Sequence, residues 1–381
     1  MAHEEKLPWE LAEEILSRVP PNTLVPLRTV SKQWNALFDD KTFIKNHKAT
    51  NRFILTTKSK IYSVSIDPKI EVCELTFDIP GLESQIPKYL FDCDKLLLCG
   101  MEKGVVVWNP CLRQSKWIEQ DLNQTRMKAY GIGYNNKGSY KIVGTCHRKE
   151  HPTKVMWTIL DFASNVWKDL LELKSCNSKE GKRPTLHTTS GVSLNGNLYW
   201  ISFVGKINPV YEVTDFVHGL TKFNCSSEKF FRFCDLPCGM TNCYKDALVL
   251  KVIEGDRFSL LKQCHATKKI EVWVSKYKID DNLDIEDVEW IKFMEVSSPN
   301  LPDLVDPRYS QPSYFIEDKR LVACSCDDTG RAWIYVFGEN KLISKTQIDY
   351  VVDPWPSHST FIPSLVPVPR GQREELAELQ V

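Results

Sequence analysis

At 381 residues the chain is longer than the roughly 100–200 of an ordinary domain, so one large fold or two units is expected. A hydrophobic content of 42%, with 11 Trp, 13 Tyr and 17 Phe, supplies a sizeable core and excludes disorder over most of the length. Lys and Arg number 49 against 49 Asp and Glu, which removes the basic excess that a general nucleic-acid or anionic-membrane binder needs.

Met1 to Lys6 is polar and acidic, without the basic and apolar regions of a signal peptide, and no window approaches about 20 uninterrupted apolar residues. Thirteen cysteines without framework spacing read as reduced thiols, which places the chain in the cytoplasm or nucleus. The sequons at Asn123-Gln124-Thr125 and Asn224-Cys225-Ser226 are then idle.

The first fifty residues read as helices. In Pro8 to Val19 the apolar Leu11, Ile15, Leu16 and Val19 recur at helical spacing, with acidic residues early, Arg18 late, and Pro20-Pro21 as the stop. Leu24, Leu27, Val30, Trp34 and Leu37 continue at spacings of three and four. Thr23 and Ser31 are the expected N-caps of two short helices, which would place Pro26 in a first turn.

After Thr50 short runs rich in Val, Ile, Tyr and Trp alternate with turn signals such as Asn135-Asn136-Lys137-Gly138, Asn195-Gly196 and Glu254-Gly255-Asp256, the pattern of many antiparallel strands. One phrase recurs there, an apolar strand ending in an aromatic, a polar turn, and a second aromatic or apolar position. Its anchors are Trp108, Phe162, Phe223, Trp273 and Phe337, with Val64 as a degraded first copy. They recur about every 55 residues, near the length of a four-stranded propeller blade, so about six blades would fill the region. A pair of β-sandwiches is the structural alternative. The absence of Gly-Gly doublets and Trp-Asp dipeptides argues against ordinary kelch and WD signatures. The expected fold class is therefore α+β and multidomain: a small helical unit at 1–48, a mainly β, propeller-like domain at 49–368, and a polar tail at 369–381.

Leu7-Pro8, Leu11, Glu14-Ile15-Leu16, Arg18-Val19-Pro20, Leu24, Leu27-Arg28, Val30-Ser31-Lys32, Trp34, Leu37 and Phe43-Ile44 fall in register with one motif. Taken together, this stretch resembles an F-box, departing from it at Pro26. Leu96-Leu97-Leu98-Cys99, Val107-Trp108-Asn109-Pro110, Tyr130 to Tyr134 with Tyr140 to Val143, and Gly196 to Trp200 follow in order. Phe223 with Glu228-Lys229-Phe230, Leu236-Pro237, Ile270 to Trp273 and Phe361 to Leu365 complete the series. The β region is thus similar to the F-box-associated domain of a very large plant family.

The resemblance implies docking onto the Skp-type adaptor, and through it the cullin and RING subunits, of an SCF-type ubiquitin ligase. The chain would be its substrate-recognition subunit, holding a protein substrate and doing no chemistry itself. Leu7, Pro8, Leu11, Ile15, Leu16, Val19, Pro20, Leu24, Leu27, Val30, Trp34 and Leu37 are the candidate adaptor-binding residues, with Trp34 the natural anchor. They include more apolar positions than three short helices can hide, although the same side chains would also serve as the unit's own core. The alternatives are a scaffolding or sequestering F-box protein without degradation and, further off, a propeller enzyme. The loops Cys146 to Thr153, Asn177 to His187, Gly205 to His218 and Asp280 to Asp287 are candidate substrate contacts, and no single substrate residue stands out.

Other constellations fall short of a site. Cys234, Cys238 and Cys243 with Cys264 and His265 lack paired Cys-x₂-Cys hooks, so neither metal nor cofactor is expected. Cys324-x-Cys326 reads as small core residues on one strand face. Gly131-x-Gly133 lacks the third glycine of a phosphate cradle and reads as a turn or close backbone approach. His147 and His151 have no nucleophile beside them in sequence.

Overall fold

Proline and capping chemistry set the N-terminal helices. In the computed structural model α1 spans Trp9–Leu16 directly after Pro8, and α2 spans Pro21–Leu27 with Pro21 at its first position. A proline there is pre-set for helix and has no N–H to lose. Thr23 is therefore inside the first turn of α2 rather than its cap, and Pro26 lies inside the helix one residue before its end. Ser31 does cap α3 (Lys32–Asp39), accepting from the Trp34 amide at 3.1 Å. A further helix, α4 (Lys41–Asn46), is started by Asp40, whose carboxylate accepts from the amides of Thr42 and Phe43 at 2.8 Å. Arg28 clamps α2 to α3, donating to Asp39, Asn35 and the Phe38 carbonyl. The structure describes residues 7–47, 51–66, 69–77, 82, 85–93, 95–170, 185–186, 191–204, 217–237, 246–254, 256–280, 288–297, 301–304 and 311–369. The polar tail thus falls, after residue 369, outside them.

The strands form a six-bladed propeller of antiparallel sheets. Blade 1 holds β1 (Arg52–Thr56), β2 (Ile61–Ser65) and β3 (Glu71–Leu75). Blade 2 holds β4 (Tyr89–Cys93), β5 (Leu96–Gly100), β6 (Gly104–Asn109) and β7 (Gln114–Glu119). Blade 3 holds β8 (Gln124–Tyr134), β9 (Tyr140–Arg148), β10 (His151–Asp161) and β11 (Val166–Asp169). Blade 4 holds β12 (Thr185–Leu186), β13 (Val192–Leu194), β14 (Asn197–Val204), β15 (Val217–Asn224) and β16 (Lys229–Asp235). Blade 5 holds β17 (Ala247–Ile253), β18 (Arg257–Gln263), β19 (Ile270–Ser275) and β20 (Trp290–Val296). Blade 6 holds β21 (Ser313–Glu317), β22 (Arg320–Cys326), β23 (Ala332–Gly338) and β24 (Lys341–Gln347). The last strand, β25 (Ser357–Phe361), returns to blade 1 and pairs with β1 from Arg52↔Phe361 to Thr56↔Ser357, closing the ring.

The repeat seen in the sequence is the outer hairpin of each blade. Val64, Trp108, Phe223, Trp273 and Phe337 lie on the third strand of their blades, and Phe162 directly follows one. Phe223 pairs with Phe230, Leu160 with Trp167, and Phe337 with Leu342 on the fourth strand. Apolar clusters fill the space between neighbouring blades. Trp108 meets Phe77 between blades 1 and 2, and Trp200 and Phe230 pack with Val143 between blades 3 and 4. The inner strands adjoin in cyclic order, which replaces the sandwich alternative with a ring.

Polar ties stitch the same junctions. Gly133 passes so close to blade 4 that a Cβ would meet the Gly196 carbonyl at 2.4 Å, the close approach expected of this stretch. Asn195 and Gly196 both have positive φ, as a two-residue hairpin requires, and the Gly196 carbonyl accepts from the Tyr134 amide at 2.9 Å. Burial pushes the Glu228 carboxyl up, but hydrogen bonds from Lys141 and Lys168 outweigh it and hold it below its ordinary range.

Antiparallel connectivity sorts the connections by face. Those between first and second and between third and fourth strands share one face, here the near face. Those between second and third strands share the far face with the crossings to the next blade. Bonds within each face agree: Asn136 N–H to Ser226 Oγ on the near face, and Trp355 N–H to the Gly330 carbonyl on the far face.

Candidate functional site

The twelve residues singled out in the helical unit divide sharply by burial. Leu7 (55% exposed), Leu11 (49%), Ile15 (56%) and Val30 (59%) face outward, and Pro8 and Pro20 are exposed with them. Leu11 and Ile15 are four apart on α1, and so occupy one stripe of that helix. Leu16, Leu24 and Leu37 turn inward, forming the unit's core with Phe38 and Phe43. Val19, Leu27 and Trp34 are half-buried against that core, Trp34 meeting the Phe38 ring edge-on at 6.4 Å. The helical unit thus carries a covered apolar core and exposed apolar side chains, of which Leu11 and Ile15 share one stripe of α1.

The covered surface sits on the near face of the propeller. Among the described residues, the propeller members of this core cluster are Leu365, which is buried, and Leu112, which is half-buried. Leu112 lies in the β6–β7 turn, and Leu365 follows β25. His47 ends the unit, its Nε2 donating to the Val19 carbonyl at 2.7 Å. Burial lowers the His47 pKa and the nearby Lys95 lowers it further, against the pull of that hydrogen bond. In the sequence Asn109 and Leu365 stand only within the phrases that carry the family resemblance, and Leu112 in none, so no packing role of theirs is legible there. The one available signal was Asn109-Pro110 at a strand end, a pattern of Asx turns.

The far face is where the longer connections gather. The crossings spanning 76–88, 236–246, 297–312 and 348–356 join strands there, whereas near-face turns run from two to five residues apart from 276–289. Of the four loops proposed from sequence, Cys146 to Thr153 is not an insertion: its residues belong to β9 and β10 except for a two-residue far-face turn at 149–150. The segments between β11 and β13 and between β14 and β15, which contain Asn177 to His187 and Gly205 to His218, also start and end on that face, and lie largely outside the described residues. The connection from β19 to β20, whose sequence includes Asp280 to Asp287, leaves and re-enters the sheet on the near face, and residues 281–287 lie outside the described ones. Leu122 (83% exposed) and Val352 (86%) lie in far-face crossings.

The axis of the ring is polar and bridged. Lys251 on β17 donates to Thr360 Oγ1 on β25 at 2.7 Å, linking blades 5 and 1 past the inner strand of blade 6. Burial lowers the Lys251 pKa, while Asp92 on β4 opposes that shift. His358 on β25 exchanges a hydrogen bond with Ser313 Oγ at 2.9 Å. Burial first and the Lys251 charge second push its pKa down to about 4.

A pH dependence follows from that depression. The unfolded ring takes up a proton below its ordinary 6.5, whereas the folded ring refuses it until about 4. Stability is therefore whole above pH 6.5 and declines as pH falls towards 4. Because His358 is half-buried rather than fully enclosed, the loss should be about 1–2 kcal/mol by pH 5. Urea unfolding at pH 7 and pH 5 should give a steeper decline for the native chain than for His358→Gln. Parallel declines would refute this role.

The other constellations resolve structurally. Cys234 is buried in β16 and burial pushes its thiol up to about 12, while Cys238 and Cys243 lie outside the described residues. No cluster of His, Cys, Asp and Glu among the described residues is arranged to hold a metal ion. Cys324 and Cys326 are buried together in the blade 6–blade 1 core. His147 Nδ1 donates to the Pro152 carbonyl at 2.7 Å within its own hairpin, and His151 is exposed. Among the described residues, no helix is long and apolar enough to cross a membrane.

Comparison with known proteins bears on both surfaces. The family described as F-box domain matches residues 5–46, and that described as F-box associated beta propeller domain matches residues 52–368. The F-box/kelch-repeat protein At3g16580 of Arabidopsis thaliana is 70% identical over 390 residues, covering 100% of both chains. F-box protein At2g14710 of the same plant is 57% identical over 383 residues, with 100% of each chain covered. Protein SUPPRESSOR OF NIM1 1, also from Arabidopsis thaliana, is 42% identical over 358 residues, covering 88% of this chain and 91% of that protein.

Proposed function

This chain belongs to the F-box proteins that carry an F-box associated beta propeller domain, and we propose that it is the substrate-recognition subunit of an SCF-type cullin–RING ubiquitin ligase. The observation that carries this reading is the two-sided helical unit. One set of apolar side chains is packed with Leu365 and Leu112, while Leu11 and Ile15 on one stripe of α1, with Leu7 and Val30 elsewhere on the unit, are left exposed. An open apolar stripe on a short helix is what helix-in-groove recognition uses, and a Skp-type adaptor is the partner its F-box implies. Leu16, Leu24 and Leu37 would support that stripe from beneath, with Val19, Leu27 and Trp34 at its border.

The substrate is a protein held on the far face, opposite the helical unit, where most of the longer connections lie. The chain performs no bond chemistry. It holds a substrate lysine near charged ubiquitin and so raises the effective concentration of the two. The chain would do this in the cytoplasm or the nucleus. The test is adaptor capture by the full chain and by a chain lacking residues 1–50. Binding is expected only with the full chain, and adaptor binding by the shortened chain would refute the assignment. Substrate half-life with and without proteasome inhibition then separates degradation from scaffolding.

A further inference from the structure

We infer that Asn109 is the positioning residue that sets the orientation of the helical unit on the propeller. Asn109 ends β6 and is fully buried. Its Nδ2 donates to the carbonyls of Ser364 at 3.0 Å and Val366 at 2.7 Å, and contacts Ser364 Oγ at 3.3 Å. Its Oδ1 accepts from the amides of Cys111 at 2.9 Å and Leu112 at 3.4 Å. One side-chain amide therefore shapes the turn that presents Leu112 and grips the segment that presents Leu365. Those two are the propeller residues in the helical unit's core cluster, among the residues described.

An Asx turn alone would explain the two bonds to Oδ1. It leaves the Nδ2 bonds unexplained, since their acceptors lie at the other end of the domain. After Phe361 the chain leaves the sheet, so residues 362–368 have no strand partner to fix them. Side-chain bonds do that work instead: Ser364 Oγ donates to the Lys95 carbonyl at 2.9 Å, and Gln114 Oε1 accepts from the Val368 amide at 3.1 Å. Asn109 holds both segments from its two ends, Ser364 and Val366 through Nδ2 and the Leu112 turn through Oδ1, and Cys111 in that turn meets the Ser364 backbone beside it. The role requires a neutral group with donors and an acceptor together, which a carboxylate cannot supply. Burying a carboxylate against two carbonyl oxygens would be strongly unfavourable.

Orientation matters for ubiquitin transfer only if the function proposed above holds, whereas the coupling itself can be measured without it. Hydrogen exchange is read on the full chain and on Asn109→Asp, which keeps the acceptor for the Leu112 turn and loses the donor for residues 362–368. Protection should fall by roughly tenfold or more at the Val368 amide, which bonds Gln114, and in Trp9–Asn46, and stay unchanged in blades 4 and 5. Leu365→Ala should release the helices while leaving the Val368 amide protected. Native protection of both Val368 and Trp9–Asn46 in Asn109→Asp would overturn the proposal. So would an equal loss in every blade, which would make Asn109 a support of the whole propeller. Adaptor binding should survive in Asn109→Asp, so loss of coupling and failure of the adaptor assignment are told apart.

Discussion

The double substitution Leu11→Asp with Ile15→Asp should weaken adaptor binding by at least about a hundredfold while leaving thermal unfolding nearly unchanged. Both side chains are about half exposed, so the free chain accommodates carboxylates there at little cost. In a closed apolar groove the same carboxylates would be desolvated without partners, and even about 1.4 kcal/mol apiece is tenfold in affinity. Leu24→Asp is the contrasting case. Leu24 is fully buried, so this change should unfold the helical unit and remove binding by a different route, visible as lost helical signal. Calorimetric titration with purified adaptor, beside circular dichroism of each variant, separates the two. Wild-type affinity in the double variant would place the adaptor face elsewhere.

The second large effect concerns closure of the ring. A chain ending at Pro356 should lose cooperative unfolding altogether, or unfold about 10 °C or more below the full chain. That cut removes β25, the inner strand of blade 1, and uncovers the edge of β1, where Phe53, Ile54 and Leu55 are buried. It also removes Thr360 and His358 from the axis and Ser364 from Asn109. An unpaired edge of this composition invites association, so scattering should rise on heating. A truncated chain that melts like the full one would mean that the ring does not depend on β25.

Much of this fold was legible because the repeat has a physical cause. The third and fourth strands of each blade must present large apolar residues to the next blade, so aromatics recur where that packing recurs. Turns were legible only where glycine or asparagine marked them. The hairpin at Asp318-Lys319 adopts positive φ at both residues with neither glycine nor asparagine, so neither marker announced it. The start of α2 was misplaced because a proline at the first helical position was read only as a stop, not also as a start.

The helical surface was legible as a set of apolar residues but not as two faces. Ile15 and Leu16 are adjacent in sequence and about 100° apart around α1, so one is exposed and the other buried by the docking of the whole unit. No local pattern separates them. The coupling through Asn109 was hidden for a related reason: its acceptors lie at the opposite end of the β domain, and only the closure of the ring brings them together.

The proposed function has the chain bridge an adaptor at one end and a protein substrate at the other. The most direct measurement is ubiquitin transfer, in a reconstituted adaptor–cullin–RING assembly, onto the protein that co-purifies with the full chain from cells in which the ligase is blocked. Transfer should require the chain and should disappear with Leu11→Asp/Ile15→Asp, even though that variant still captures the same protein. Transfer that continues with the double variant, or that proceeds without the chain, would contradict the account.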